Sequence, residues 1–239
     1  MLYLIGLGLN ANGISKEGLD AIKRCKKVYL ENYTVDFPYE EGALKGLFDK
    51  KFYPADREFV ESLKIIDEAM KKDVGLLIYG SPLTATTHIT LVQEAKASRV
   101  KCKIIHNSSI LDAVAETGLQ LYKFGKTASM PKWDEKKNFT PESFMTVVEA
   151  NNSIEAHTLI LIDIGLGSWD ALDQLEISAK NKGIKLNKII IGQGLGTKNR
   201  KVFYDTIENL RSDRITKPFC IIIPGKLHFV EKEFLGNFK

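Results

Sequence analysis

The sequence predicts an α/β fold, on three observations. Apolar runs of strand length recur from the N-terminus onward. Between them lie segments whose apolar residues repeat at helical spacing. Several of the runs end in glycine or small polar residues, as strands do when they feed a helix through a tight turn.

The elements follow in chain order. Leu2-Tyr3-Leu4-Ile5 is a short strand running into Gly6-Leu7-Gly8-Leu9, and Ser15 is placed to cap a helix carrying Leu19, Ile22 and Cys25. Val28-Tyr29-Leu30 is the next strand. A helix begins after Pro38, and a longer one spans Glu58 to Met70, with Phe59, Leu63, Ile66 and Met70 along one face. Val74 to Tyr79 is again a strand, and its corner GSPLTATTH leads to a helix with Leu91, Val92 and Ala95. Hydroxyl groups at such a corner can cap that helix or contact a small ligand, and the stretch alone does not separate the two. Lys103-Ile104-Ile105 is a strand, followed by Asn107-Ser108-Ser109 and a helix with Ile110, Leu111 and Val114. Strands alternating with helices predict a parallel sheet covered on both faces.

Periodicity breaks between Gly118 and Pro141, around Gly125, Pro131 and the charged stretch Asp134 to Lys137. The chain therefore reads as two α/β domains, 1–120 and 121–239. In the second, Pro141 opens a helix through Val147 and Val148, His157 to Ile164 is a long apolar strand, and Leu172 to Lys182 is helical. Strands at Lys188–Ile191 and Phe219–Ile223 and a helix at Phe229–Leu235 complete it.

Composition narrows the function. Of 239 residues 44% are hydrophobic and 27% charged, which argues against disorder. The net charge of +4 is spread along the chain, so no nucleic-acid footprint stands out. No apolar stretch approaches the ~20 residues of a membrane span and no basic flank marks a secretory leader, so a cytoplasmic protein is expected. Cys25, Cys102 and Cys220 are far apart and read as reduced, buried thiols. His88, His106, His157 and His228 lack metal-ligand spacing, and no metal is expected.

Candidate binding loops lie at four strand ends: Gly6-Leu7-Gly8, Gly80-Ser81-Pro82, Asn107-Ser108-Ser109 and Gly192 to Thr197. Ligands of open α/β sheets sit at such ends. Gly6-x-Gly8 with Ala11 is a weak dinucleotide fingerprint, because no acidic residue closes the second strand in the expected way. Gly192 to Thr197 lacks the Lys-Ser/Thr pair of a phosphate-binding loop. His88 reads as a helix-face residue making structural hydrogen bonds. Asp163, within an apolar strand, has to be paired, to sit at the strand's end near a site, or to cap a neighbouring loop.

Five stretches stand in the order and approximate spacing of one family: MLYLIGLGLNANGIS, VYLENYT, GSPLTATTH, IIHNSSILDAVAETGLQLYKFGKT and PGKLHFVEKEFL. On these the chain resembles the diphthine synthases, of the tetrapyrrole-methylase-like class of S-adenosylmethionine-dependent methyltransferases. The likeness runs from Met1 to about Ile164 and resumes from Lys188 to Leu235. It implies two α/β domains with a cofactor cleft between them, and a homodimer. It further implies repeated methylation of the modified histidine of translation elongation factor two, with S-adenosylhomocysteine as product. By matching position, the cofactor contacts fall on Leu9, Ser81, Thr84, Ser109, Ile110, Ile162, Leu195 and Phe219. Three positions differ from the family pattern: Ser81 stands where Asp is usual, Gly165 where Lys is usual and Gly194 where Arg is usual. Two alternatives accompany this reading, a catalytically reduced homologue that binds the elongation factor and a precorrin or uroporphyrinogen methyltransferase.

Overall fold

The computed structural model describes residues 1–48 and 50–238 and divides into two compact units, Met1–Ala113 and Val114–Lys239. The first unit comprises β1 (Leu2–Gly6), α1 (Lys16–Arg24), β2 (Lys27–Glu31), α2 (Glu41–Lys45), β3 (Tyr53–Ala55), α3 (Arg57–Glu61), α4 (Lys64–Lys71), β4 (Val74–Ile78), α5 (Ile89–Ala97), β5 (Cys102–Ile105) and α6 (Ile110–Ala113). Its sheet has the order β3-β2-β4-β1-β5, and every pairing is parallel.

All five residues of β1 and of β4 are buried, which requires cover on both faces. Side chains alternate across a strand, so Leu2 and Leu4 pack on one face with Ile65, Ile66, Ala69 and Leu91 of α4 and α5. Tyr3 and Ile5 pack on the other with Ala21, Ile22 and Leu44 of α1 and α2. Ser15 caps α1, accepting the Gly18 N–H at 3.0 Å, a contact worth about 1 kcal/mol.

The expected single helix from Glu58 to Met70 is two. Leu63 takes φ 60°, a left-handed conformation that no helix continues through, and it separates α3 from α4. The stripe is rotated by the break, so Met70 is 55% exposed while Ile65, Ile66 and Ala69 turn inward. The helix expected after Ser109 is also shorter than its pattern. α6 closes after four residues and gives way to a 3-10 turn over Val114–Thr117.

The second unit comprises β6 (Ala128–Met130), α7 (Ser143–Ser153), β7 (Thr158–Ile162), α8 (Ser168–Asn181), β8 (Ile189–Gln193), β9 (Lys201–Asp205), α9 (Ile207–Leu210), β10 (Phe219–Ile223) and α10 (Phe229–Leu235). Its sheet has the order β6-β7-β10-β8-β9, with β6 parallel to β7 and the other pairs antiparallel. Phe144, Met145 and Val148 of α7 and Ala171, Leu172 and Leu175 of α8 cover one face, against Ile160, Ile191 and Ile221. The strand β9 was not foreseen. It is an edge strand whose residues are half-buried or exposed, so it carries no apolar run.

The three cysteines are free; Cys25 and Cys220 are buried, whereas Cys102, expected buried, is half-buried at the start of the edge strand β5. No helix among the described residues is long and apolar enough to cross a membrane.

Candidate functional site

In the first unit β4, β1 and β5 lie side by side and parallel, so their carboxyl ends reach one edge of the sheet. The loops leaving them are bonded to one another. Gly8 (φ 72°) and Gly80 (φ 73°) form a reciprocal pair, the Gly8 N–H donating to the Gly80 carbonyl at 3.1 Å and the Gly80 N–H to the Gly8 carbonyl at 3.0 Å. Left-handed backbone at both positions favours glycine, which has no Cβ to strain there. Asn107 ties in the third loop, its Nδ2 donating to the carbonyls of Gly6 at 3.0 Å and Gly13 at 2.9 Å. The approach at Gly6 is tight enough that a Cβ there would stand 2.7 Å from the Gly80 oxygen and 2.9 Å from the Asn107 Cβ.

This closure gathers five of the eight residues named from sequence. A Cβ on Gly80 would meet Leu9 Cδ2 at 4.0 Å and the Ser109 Cα at 3.9 Å, so Leu9, the Gly80–Ser81 corner and Ser109 border one small space. Leu9 is buried, and its carbonyl accepts the Tyr79 hydroxyl at 3.0 Å. Ser81 is 8% exposed, with Oγ 3.5 Å from His106 Nδ1, and its carbonyl accepts the Thr84 N–H at 3.1 Å. Ser109 caps α6, its Oγ accepting the Leu111 N–H at 3.2 Å while its own N–H and hydroxyl donate to Asp112 Oδ2 at 2.8 and 2.9 Å, and Ile110 begins the helix. A cradle of glycine backbone beside an apolar wall and small hydroxyls suits a small polar ligand.

The other three residues belong to the second unit and share one end of its sheet. Leu195 folds over Gly192, where a Cβ would meet its Cδ1 at 2.7 Å and Cys220 Sγ at 3.2 Å. Phe219 pairs with Gln193, and Cys220 lies across from Leu161, one residue from Ile162. Gly194 (φ 56°) and Gly196 (φ 79°) make the turn after β8, held by the Thr197 hydroxyl on the Gly194 carbonyl at 2.7 Å and by Glu116, which accepts the Gly196 N–H at 3.1 Å. Asp163 is exposed just beyond β7, where it accepts the Lys132 N–H at 3.2 Å, a loop cap.

The threonines of GSPLTATTH do not cap α5 through their side chains in the expected manner. His88 occupies the N-cap position without a side-chain cap bond, and the Thr86 hydroxyl turns back onto the Pro82 carbonyl at 2.9 Å. Sequence reasoning also missed the partners of this turn. Glu31, Tyr33 and His88 are separated by up to 57 positions, and only the pairing of β2 with β4 brings their loops together. Burial pushes the Tyr33 hydroxyl up to about 12, with Glu31 adding to the rise.

A family model described as tetrapyrrole (corrin/porphyrin) methylases matches residues 1–211. Diphthine methyl ester synthase of Schizosaccharomyces pombe is 33% identical over 98% of this chain and 93% of its own length. The Bos taurus protein of the same name is 42% identical over 100% of the chain and 95% of its own. A crystal structure of a diphthine synthase is similar with a TM-score of 0.90 at 32% identity, covering 99% of this chain and 95% of that one. These relatives favour neither the reduced binding module nor the precorrin-type methyltransferase. The chain belongs to the tetrapyrrole (corrin/porphyrin) methylase family and, within it, to the diphthine synthases, which makes it a methyltransferase.

Proposed function

We propose that the chain methylates the modified histidine of translation elongation factor two with S-adenosylmethionine, releasing S-adenosylhomocysteine, as a homodimer in the cytoplasm. The observation that carries this is the closure of three loops at Gly6, Gly8, Gly80 and Asn107, which leaves Leu9, Ser81 and Ser109 around one space. The relatives' names include a methyl ester, so the acceptors comprise a carboxylate oxygen beside the amine.

The cofactor supplies a methyl group already activated on a sulfonium, and the residues of the chain have only to bind, orient and exclude water. Leu9 gives an apolar wall, the Gly80–Ser81 corner and Thr84 give short polar groups, and Ser109 with Ile110 sets the floor through a rigid cap. Within the second unit, Ile162, Leu195 and Phe219 gather apolar side chains at one end of its sheet. The amine must be neutral to attack, and a dry site favours that form by desolvation. Ser81 in place of an acid keeps a hydrogen-bonding group but no charge to favour the sulfonium.

The test is transfer of labelled methyl from S-adenosylmethionine to elongation factor two purified from cells lacking this enzyme, with mass analysis of the modified histidine. Stepwise additions, some removed by mild alkali as an ester, support the reading. No transfer to a factor that still binds the protein overturns it.

A further inference from the structure

We propose that His88 is a positioning residue for the Gly80–Ser81–Pro82 corner, fixing the Pro82 carbonyl and with it the backbone that presents Ser81 to the cofactor. This rests on the reading that the corner contacts S-adenosylmethionine. His88 is 1% exposed, and its Nδ1 lies 3.1 Å from the Pro82 carbonyl oxygen. A carbonyl only accepts, so Nδ1 carries the proton. The Thr86 hydroxyl reaches the same oxygen at 2.9 Å, giving this one acceptor two donors from the segment that follows it. Proline has no N–H with which to anchor itself, which leaves its carbonyl as the handle on the corner.

The imidazole is itself held from the other side. Its Nε2 meets the Tyr33 hydroxyl at 3.4 Å, and the two rings stand edge to face at 6.4 Å. Tyr33 is fixed by Glu31, a 1%-exposed carboxylate at the end of β2 that accepts the N–H groups of Tyr33 at 2.9 Å and Thr34 at 2.8 Å, with the Thr34 hydroxyl at 2.7 Å. The Arg57 guanidinium lies 5.3 Å over the Tyr33 ring. Glu31 therefore anchors the loop after β2, and His88 transmits that anchor across to the loop after β4. Both loops leave the carboxyl edge where the candidate cofactor residues gather.

The experiment is calorimetric titration of the purified full chain with S-adenosylhomocysteine, alongside thermal melts and KM and kcat for S-adenosylmethionine. His88→Ala is expected to weaken binding about tenfold and to raise KM with little change in kcat, the effect of one lost hydrogen bond on a corner that binds ground and transition states alike. His88→Asn keeps an N–H within reach of the Pro82 carbonyl and is expected to stay within about threefold of the parent. Folded His88→Ala with parental affinity overturns the proposal, as does equal weakening in the alanine and asparagine variants. Should His88→Ala fail to fold, Thr86→Val removes the second donor to the same carbonyl, and a loss of about threefold supports the proposal while none overturns it. Ser81→Tyr separates the two readings. If it leaves binding intact, the corner is not at the cofactor; if it abolishes binding while His88→Ala does not, the corner stands and the positioning role falls.

Discussion

His157 and Glu231 are both sealed from solvent, and their side chains meet at 3.1 Å between Nε2 and Oε1. The Gly225 N–H donates to His157 Nδ1 at 2.9 Å, so the imidazole proton sits on Nε2 and points at the carboxylate. Glu231 also accepts from the Gln120 and His228 N–H groups and from the Lys123 ammonium at 2.6 Å, which completes the shell of an otherwise costly buried charge. The contacts tie the start of β7 and the start of α10 to the segment 120–123.

This cluster makes the fold acid-sensitive. Burial pushes His157 down, and although burial alone would raise Glu231, its four donors outweigh that and hold it at about 2. Both groups are thus more acidic folded than unfolded, where they titrate near about 6.5 and 4.3, so the unfolded chain takes up more protons as pH falls. Unfolding free energy, measured in urea across the pH range, is expected to fall below about pH 6.5 and again from about 4.3 toward 2. Glu231→Ala should cost about 3 kcal/mol at neutral pH and flatten the lower part of the curve.

Three helices end alike, and only one of them has glycine where the backbone turns left-handed. After α8, Gly183 takes φ 65°, with its N–H on the Lys180 carbonyl and the Ile184 N–H on the Ala179 carbonyl. After α5 the same two bonds form around Arg99 at φ 56°, and after α7 around Glu155 at φ 59°. Arg99 is exposed, so Arg99→Gly relieves a backbone cost without opening a cavity. Calorimetry should show it more stable by about 1 kcal/mol, whereas Gly183→Ala should lose about as much.

The Tyr39 hydroxyl is buried without a hydrogen-bond partner among the described residues, between Phe37 and Tyr79 at ring separations of 5.4 and 6.4 Å. A polar atom desolvated for nothing in return is a net loss. Tyr39→Phe keeps the ring contacts and is expected to raise stability by about 1 kcal/mol in a denaturant titration.

Gly6→Ala tests the loop closure itself. Its methyl would press on the Gly80 oxygen and on Asn107, both part of the bonded loops, so relief requires the strand ends to separate. Expected are a loss of about 1–3 kcal/mol in stability and a marked loss of S-adenosylhomocysteine binding, whereas Gly42→Ala in α2, where among the described residues an added methyl meets nothing beyond its own helix, should leave binding unchanged and stability equal or raised by up to about 1 kcal/mol.

Four of the five strands of the first sheet were legible because β1, β2, β4 and β5 are short apolar runs joined by segments of helical period, whereas β3, three residues with only Ala55 buried, carries no such run. The break at Leu63 was not, since a leucine in left-handed backbone leaves no local signal and the apolar spacing runs straight through it. β9 escaped for the opposite reason: as an edge strand it buries too little to need an apolar pattern. The loops around Gly8, Gly80 and Asn107 stood out as strand ends, but the individual residues proposed to touch the cofactor came from resemblance. That His88 makes structural hydrogen bonds was legible, but its partner Tyr33 was not, because Tyr33 reaches it only through the pairing of β2 with β4.

The position of β10 between β7 and β8 bears on the order in which the chain matures. The first sheet has all its strands once synthesis passes Ile105, and its core can condense while the remainder is still being made. The second sheet has no centre until Phe219–Ile223 emerge, so β7, which can pair only with β6, and β8, only with β9, each wait with one open apolar edge. A ribosome stalled ahead of residue 219 would thus carry one finished unit and one adhesive half-sheet, the nascent form most in need of chaperone cover.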